Sequence, residues 1–248
     1  MVERYSVIGS RISRETIASA LDRVLVQCDD GGGGYVCFTN AHVAVMARED
    51  PGLRDVINGS FLSLPDGKPV YLSGKIRGIT ELEHIPGPDF FRKLLAYEKS
   101  PKLRHYIYGG KTEVLERLVD SLKSRFPQAD IVGYESPPFR ALTEAESTTV
   151  NERIRSVKPD VVWVGLGAPK QELWMASHWR ALRPALLLGV GAAFDFHAGS
   201  INRAPVWMQN AGLEWVYRLG QEPKRLWKRY LYTNIMFFLY SIVDIVRR

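Results

Sequence analysis

The stretch "DVVWVGLGAPKQELWM", residues 160–175, decides how the chain is read. Val161 to Val164 form an unbroken apolar run, Gly165, Gly167 and Pro169 interrupt it, and Lys170 then opens a helical pattern with Gln171 and Glu172 in its first turn. Unbroken apolar runs of this length suit strands covered on both faces, which belong to parallel sheets. The unit recurs. "YVCFTN" (35–40) runs into "AHVAVMARED", "HYIYGG" (105–110) into "KTEVLERLVDSLKSRF", and "DIVGYE" (130–135) through "SPPFRALTE" into "AESTTVNERIRSV". Within the second unit Val114, Leu115, Leu118 and Leu122 recur at helical spacing. A fifth apolar run, "ALLLGVGAAF" (185–194), follows the opening stretch. Repeated strand and helix units predict an α/β fold, a parallel-sheet core with helices on both faces.

In open sheets of this class ligands sit outside the carboxyl ends of the strands. Those ends read "NA", "GG", "ESPPF", "GLGAPKQE" and "GVGAAFDFHAG", all small, polar or turn-forming. Glycine admits close approach of a ligand, and the start of a helix offers unpaired amides to an anion. "GLGAP" therefore reads as a cradle or as a plain tight turn, with Lys170, Gln171 and Glu172 projecting from the turn. The glycine run at 31–34 precedes its strand, so no GxGxxG opens the first unit, and no GxxxxGK[ST] is present. Dinucleotide-binding and triphosphatase readings lose their main support.

Apolar residues make up 46 % of the 248, enough for a substantial core without staples. Cys28 and Cys37 lack ligand spacing and read as buried thiols, which points to a reducing compartment. Arg4, Arg11 and Arg14 break the apolar stretches near the start, so no signal peptide is expected. His42, His84, His105 and His178 form no metal set with nearby acids, and His197 reads as structural; no bound metal is expected. In "LPDGKPV" Asp66 has two readings that the residues leave open, a turn cap or a carboxylate held in the cleft as a general base.

The charge is concentrated in the tail. From Ala198 onward eight Lys/Arg (Arg203, Arg218, Lys224, Arg225, Lys228, Arg229, Arg247, Arg248) face three acids (Glu214, Glu222, Asp244), net +5 of the chain's +6. Val206, Leu213, Val216 and Tyr217 recur at turn spacing until Gly220 and Pro223, and beyond them a basic half precedes an apolar half. The 16 residues from Leu231 to Val246, with Asn234 and Asp244, are too short and too polar for a membrane span. An interfacial helix is expected, with Ile235, Phe238, Leu239 and Ile242 on one face and Lys/Arg toward anionic lipid, or alternatively a helix packed on the core or on another subunit. No nucleic-acid module accompanies this basic tail, and nucleic acid is not an expected partner.

Seven blocks, "FTNAHVAVMARED", "LPDGKPV", "IPGPDF", "IVGYESPPF", "KPDVVWVGLGAPKQELWM", "GVGAAFDFHAGSINRAP" and "GLEWVYRLGQEPKRLWKRYL", together resemble the WecG/TagA/CpsF glycosyltransferases, family 26. They stand in the family's order across residues 35–232. The resemblance implies the GT-E fold, a Rossmann-like α/β core, with the catalytic core over residues 1–200 and a basic amphipathic helical, membrane-associating appendage over 201–248. It implies an inverting, metal-independent transferase with no cofactor. The donor is a UDP-sugar, the acceptor a saccharide on polyprenyl diphosphate, and the place the cytoplasmic face of the bacterial membrane, against an anionic surface. Such an enzyme in solution is expected to hide its apolar face in a homo-oligomer. By the same resemblance Asp66 is the general base, Thr39 is catalytic, and Asn40 binds substrate beside it. Gly165, Gly167, Pro169, Lys170, Gln171 and Glu172 form the substrate-binding block, and Arg203, Arg218, Arg225 and Arg229 lie near a diphosphate. His84 stands where the family often has arginine. The rival classes are a nonenzymatic nucleotide-binding membrane scaffold, which would not need Asp66, and a nucleotide-sugar dehydrogenase or epimerase, which would need NAD.

Overall fold

The computed structural model describes residues 2–97 and 103–246. In chain order the elements are β1 (Arg4–Val7), β2 (Ser10–Ser13), α1 (Ile17–Asp29), β3 (Gly34–Thr39), α2 (Ala41–Glu49), α3 (Pro51–Asn58), β4 (Leu62–Pro65), α4 (Lys68–Lys75), α5 (Gly87–Leu95) and β5 (Arg104–Gly109). They continue with α6 (Thr112–Arg125), β6 (Asp130–Glu135), α7 (Glu144–Ser156), β7 (Val161–Gly165), α8 (Lys170–Leu182), β8 (Leu186–Gly189), α9 (Ala193–His197), α10 (Val206–Asn210), α11 (Glu214–Gln221) and α12 (Pro223–Val246).

Six of these strands form one sheet in the order β4-β3-β8-β7-β5-β6, every pairing parallel. Side chains alternate between its faces, as the pleat requires. Val36, Phe38, Val161, Trp163, Leu186 and Leu188 point into a core shared with α1, α5 and α6. Tyr35, Cys37, Val162, Val164 and Leu187 point into a second core under α7 and α8. Both faces are covered, so both registers are apolar, and that is why these strands read as runs instead of alternations. Trp163 shows the packing: fully buried, edge-on to Phe91 at 4.6 Å, its indole N–H donates to His105 Nδ1 at 3.2 Å. Burying each such side chain is worth about 1.5 to 3 kcal/mol.

Three features go beyond the sequence reading. β4 is a sixth strand of the sheet, unanticipated because four residues inside "NGSFLSLPDG" carry no period, and Ser63 in its middle faces a hydroxyl partner instead of oil. An antiparallel hairpin, β1 with β2, precedes the sheet and packs Val7, Ile8 and Ile12 with Ala44 and Val45 of α2. Within the run 185–194, β8 ends at Gly189, the first residue of the expected strand end "GVGAAFDFHAG", and the chain then turns into α9. Cys28 and Cys37 are free thiols, half-buried and buried.

β3 and β8 are neighbours whose outgoing connections lie on opposite sides. β3 leads through α2 into α3, which packs on α8, while β8 leads into α9, which packs on α5 and α6. A crevice opens where adjacent parallel strands diverge in this way, at their carboxyl ends.

The tail packs back on this frame. α12 lies along α2, with Leu226 and Thr233 buried and Met236, Phe237 and Tyr240 packed on the hairpin core. Tyr232 and Tyr240 both donate to Glu49 Oε1, at 2.6 and 3.1 Å. Gly220 does not break the pattern, since α11 continues through it to Gln221, whereas Pro223 opens α12 at a position where its missing N–H costs nothing. The opposite side of α12 is a stripe of Trp227, Leu231, Ile235, Phe238, Leu239 and Ile242, each exposed. Among the described residues no helix is long and apolar enough to cross a membrane. Arg247 and Arg248, part of the basic count, lie outside the described residues.

Candidate active site

Asp66 follows β4 directly and is held from several sides at the mouth of the crevice. Its backbone N–H donates to Thr39 O at 3.2 Å, extending the β3 and β4 pairing by one residue. Asn40 caps α2, its Oδ1 accepting from Val43 N at 3.1 Å, and this orients its Nδ2 to donate to Asp66 Oδ2 at 3.2 Å. Asp66 Oδ1 accepts from the N–H of Gly87, the first residue of α5, at 2.9 Å. A ring nitrogen of His84 bonds the Asp66 carbonyl. Gly87 is tied to the sheet as well: a Cβ there would stand 3.3 Å from Val190 O, at the end of β8. Gly67 likewise lets the "DG" turn close on Asn40, whose Cβ would lie 3.1 Å from an added Cβ.

Burial raises the Asp66 carboxyl above its ordinary value, while the Gly87 N–H, the Asn40 amide and the charges of Arg203 and Arg218 pull the other way. The start of α5 also favours an anion. A half-buried carboxylate, fixed in orientation and more basic than an exposed one, is equipped to take a proton from a hydroxyl.

Thr39 is fully buried, and its hydroxyl shares a 2.8 Å hydrogen bond with Ser63 Oγ between β3 and β4. Its side chain braces the strand ends, and its carbonyl positions Asp66.

The "GLGAPKQE" segment splits into parts with different work. Gly165 is required by packing, since an added Cβ would lie 2.3 Å from the Phe194 ring, and its partner Gly109 would meet the Gly165 backbone at 2.6 Å. Gly167 has φ of 75° and open space where a side chain would be, which suits a ligand-facing turn. Pro169 caps α8 and Lys170, exposed, opens it. The expectation that Gln171 and Glu172 project outward is corrected: both are buried, because the inward face of α8 carries Gln171, Met175, His178 and Leu182 against β8 and its neighbours. Gln171 Nε2 donates to Gly189 O and to Glu172 Oε1, each at 2.9 Å. Burial pushes the Glu172 carboxyl up to about 7, and the charge of Asp66 acts in the same direction.

The four tail arginines are not equivalent. Arg203 makes a bidentate pair with Asp89 at 2.5 and 2.8 Å and reaches Glu214 at 3.4 Å, so it clamps α11 to α5. Arg225 pairs with Glu222 at 2.5 Å on the surface. Arg229 lies by His42, whose imidazole burial and this charge together push down to about 4. Arg218 stacks its guanidinium over Phe196 at 5.4 Å and acts electrostatically on both Asp66 and Asp195. Among the described residues neither Arg218 nor Arg229 forms an ion pair, and the Nε of each is buried without a partner.

Several residues escaped the sequence reading. Asp195, on α9 just after β8, is a second half-buried carboxyl, raised by burial and countered by Arg218, Arg225 and Lys111. Its position in "GVGAAFDFHAG", directly beyond a strand end, was the available signal. Asp89 and Glu214 carried none, because their partner Arg203 is remote in sequence. A groove of about 670 Å³ between α1 and α5, lined by Ile17, Leu21, Arg92 and Tyr97 among others, includes none of the predicted site residues.

Comparison with known proteins identifies the family. A family model described as "Glycosyl transferase WecG/TagA/CpsF family" matches residues 5–248. A protein of Bacillus subtilis strain 168 is 33 % identical over 199 residues, covering 80 % of this chain and 75 % of its own; it is named N-acetylglucosaminyldiphosphoundecaprenol N-acetyl-beta-D-mannosaminyltransferase. A protein of the same name from Bacillus spizizenii is 30 % identical over 203 residues, covering 82 % of this chain and 77 % of its own. With a family model spanning nearly its whole length and relatives aligned over most of theirs, this chain belongs to the WecG/TagA/CpsF family of glycosyltransferases.

Proposed function

We propose that this protein transfers a sugar from a UDP-sugar donor to a saccharide carried on polyprenyl diphosphate, with inversion, at the cytoplasmic face of the bacterial membrane. The observation that carries this reading is the Asp66 carboxylate, held by Asn40, Gly87 and the Thr39 backbone where β3 and β8 diverge. The relatives are named for transfer onto a lipid-diphosphate-linked sugar, which supports the same acceptor class here. Asp66 takes the proton of the acceptor hydroxyl as its oxygen attacks the anomeric carbon, the bond from that carbon to the UDP oxygen breaks, and the electron pair leaves with UDP. Arg218 offsets the charge that grows on the departing diphosphate, so the reaction needs no divalent ion. Lys170, exposed at the start of α8, and the open turn at Gly167 supply further contacts for the nucleotide.

The testing experiment is UDP release from a panel of UDP-sugars with lipid-diphosphate mono- and oligosaccharide acceptors in vesicles, with EDTA present. Acceptor-dependent release with one donor is expected. UDP binding without release against every acceptor would favour a nonenzymatic scaffold instead.

The acceptor is membrane-bound, and the exposed stripe of α12 gives the enzyme a way to reach it. Trp227, Leu231, Ile235, Phe238 and Ile242 recur at intervals of three and four on the side away from α2, with Lys224, Arg225 and Lys228 at the helix start. Such a face settles at the headgroup boundary of anionic bilayers. Replacing Ile235 and Phe238 together with Glu should abolish most binding to phosphatidylglycerol vesicles, because each loses about 1.5 to 3 kcal/mol of apolar burial and gains a repelled charge. Flotation assays check this, and turnover of a short-chain soluble acceptor should stay near wild type. Equal flotation of the double variant would refute the membrane role of the stripe.

A further inference from the structure

The crevice carries a further cation that the reaction chemistry above does not use. Lys68 follows Asp66 by two residues and opens α4. Its ammonium lies over the Tyr71 ring, 5.5 Å from the centroid, and that ring in turn neighbours the ring of His84 at 6.2 Å. His84 bonds the Asp66 carbonyl, so Lys68, Tyr71 and His84 form one wall beside the proposed base. The stem of Lys68 packs on the chain just before α11: an added Cβ on Gly212, whose φ is 75°, would stand 3.2 Å from Lys68 Cγ. A half-buried lysine held in this way has given up much of its rotamer freedom, yet among the described residues its ammonium has no ion pair and no hydrogen bond. Glu214 and Asp89, the acids whose charges reach the neighbouring His84, are both taken by Arg203. A fixed cation without a counter-ion, at the side of a crevice, is arranged for an anion that arrives from outside.

The directions from which the two substrates enter decide which anion that is. Inversion requires the acceptor oxygen to attack the anomeric carbon on the face opposite the departing UDP oxygen, and Asp66 must reach the attacking hydroxyl. Asp66 lies by α11, where Arg218 lowers its pKa and Glu214 is raised by its charge. Arg218, which meets the departing diphosphate, comes from the α9 side, stacked over Phe196. Lys68 comes from the α4 side, by the residues that lead into α11. An acceptor entering opposite the donor passes this second side, and it carries its own diphosphate one sugar ring away from the hydroxyl that reacts. Resting on the proposed glycosyl transfer, we infer that Lys68 binds the diphosphate of the lipid-linked acceptor and so brings the acceptor hydroxyl to Asp66. Tyr71 and the Gly212 backbone serve to aim the ammonium.

The test compares K68M and K68R with the wild type in the full-length protein. Methionine keeps the stem that packs on Gly212 and removes the charge. With a saccharide on polyprenyl diphosphate as acceptor, K68M should raise the acceptor KM by about 10- to 100-fold and change kcat by less than about threefold, as the loss of one charge-assisted contact predicts. K68R should return to within about fivefold of wild type, since a diphosphate accepts either cation. Added salt should raise the wild-type acceptor KM more steeply than that of K68M. With the same sugar on an uncharged alkyl chain, K68M and wild type should have equal kcat/KM. UDP affinity by calorimetry and flotation with phosphatidylglycerol vesicles should both be unchanged in K68M. Weakened UDP would assign Lys68 to the donor, and weakened flotation would assign it to bilayer headgroups; either overturns the acceptor site. So would an unchanged acceptor KM, or an equal loss in K68M and K68R with a lowered melting temperature, which marks packing of the stem as its whole role. A wild type that binds UDP yet transfers to no acceptor would instead remove the glycosyl-transfer reading, and this inference with it.

Discussion

D66N should lose acceptor-dependent sugar transfer by about 10²- to 10⁴-fold, the range set by removal of a general base, while UDP affinity stays near wild type. In free energy this is about 3 to 5 kcal/mol of barrier. The substitution also carries a local cost. Asn at 66 can keep its oxygen toward the Gly87 N–H, but its amide then faces the Nδ2 of Asn40, a donor against a donor where the native contact is 3.2 Å. A melting curve separates that penalty, on the order of 1 kcal/mol, from loss of chemistry. The pH profile is the sharper readout. The base works only when ionised, so the wild-type rate should rise with pH through the Asp66 pKa, and burial places that rise above the range of an exposed aspartate. The stability effect has the opposite sign. A carboxyl whose pKa is raised by folding holds its proton more tightly in the native state, so stability declines as pH climbs from the unfolded to the folded value. D66N should flatten both dependences. Near-normal turnover in D66N, with D195N inactive, would move the base role to Asp195.

R218A should slow transfer by about 10²- to 10³-fold, near 3 to 4 kcal/mol, if Arg218 acts on the leaving diphosphate. It is the tail arginine suited to this, since Arg203 is already neutralised by Asp89 and Glu214, Arg225 by Glu222, and the unpaired Arg229 lies by His42, whereas Arg218 acts on Asp66. R218K should recover little, because a lysine cannot reproduce the planar stack over Phe196 or the forked donor set. A second effect follows from the charge. Arg218 lowers the Asp66 pKa, so its removal should move the rising limb of the pH profile to higher pH. R203A is the contrasting case: losing the clamp between α5 and α11 should lower the melting temperature and loosen the tail before it affects the chemistry. Steady-state kinetics of the two variants side by side check the distinction. An R218A rate within threefold of wild type would exclude the leaving-group role.

Which parts of this were readable in advance follows the range of the interactions. β3, β5 and β7 were legible within a residue or a few, since a strand buried on both faces must be apolar along its length, and β6, a half-exposed edge strand, was legible to the residue. β4 was not, because four residues with a serine in the middle owe their strand to β3 alongside and to Ser13 of the hairpin, which accepts from the Ser63 N–H at 3.0 Å. Asp66 could be singled out from "PDG", yet whether it capped its own turn or faced the cleft depended on Asn40 and Gly87, 26 and 21 residues away.

The sequence by itself determined the parallel α/β frame and the glycine-rich strand ends, because each is written in local period and composition, and its seven ordered blocks carried the resemblance to the family. Only the tertiary structure decided that Gln171 and Glu172 turn inward, that Thr39 braces instead of facing the cleft, and that Arg203 is a clamp while Arg218 is left with no acid paired to it. Those outcomes rest on which face of a helix meets the sheet and on which distant charge arrives beside which, and neither quantity has a local signature.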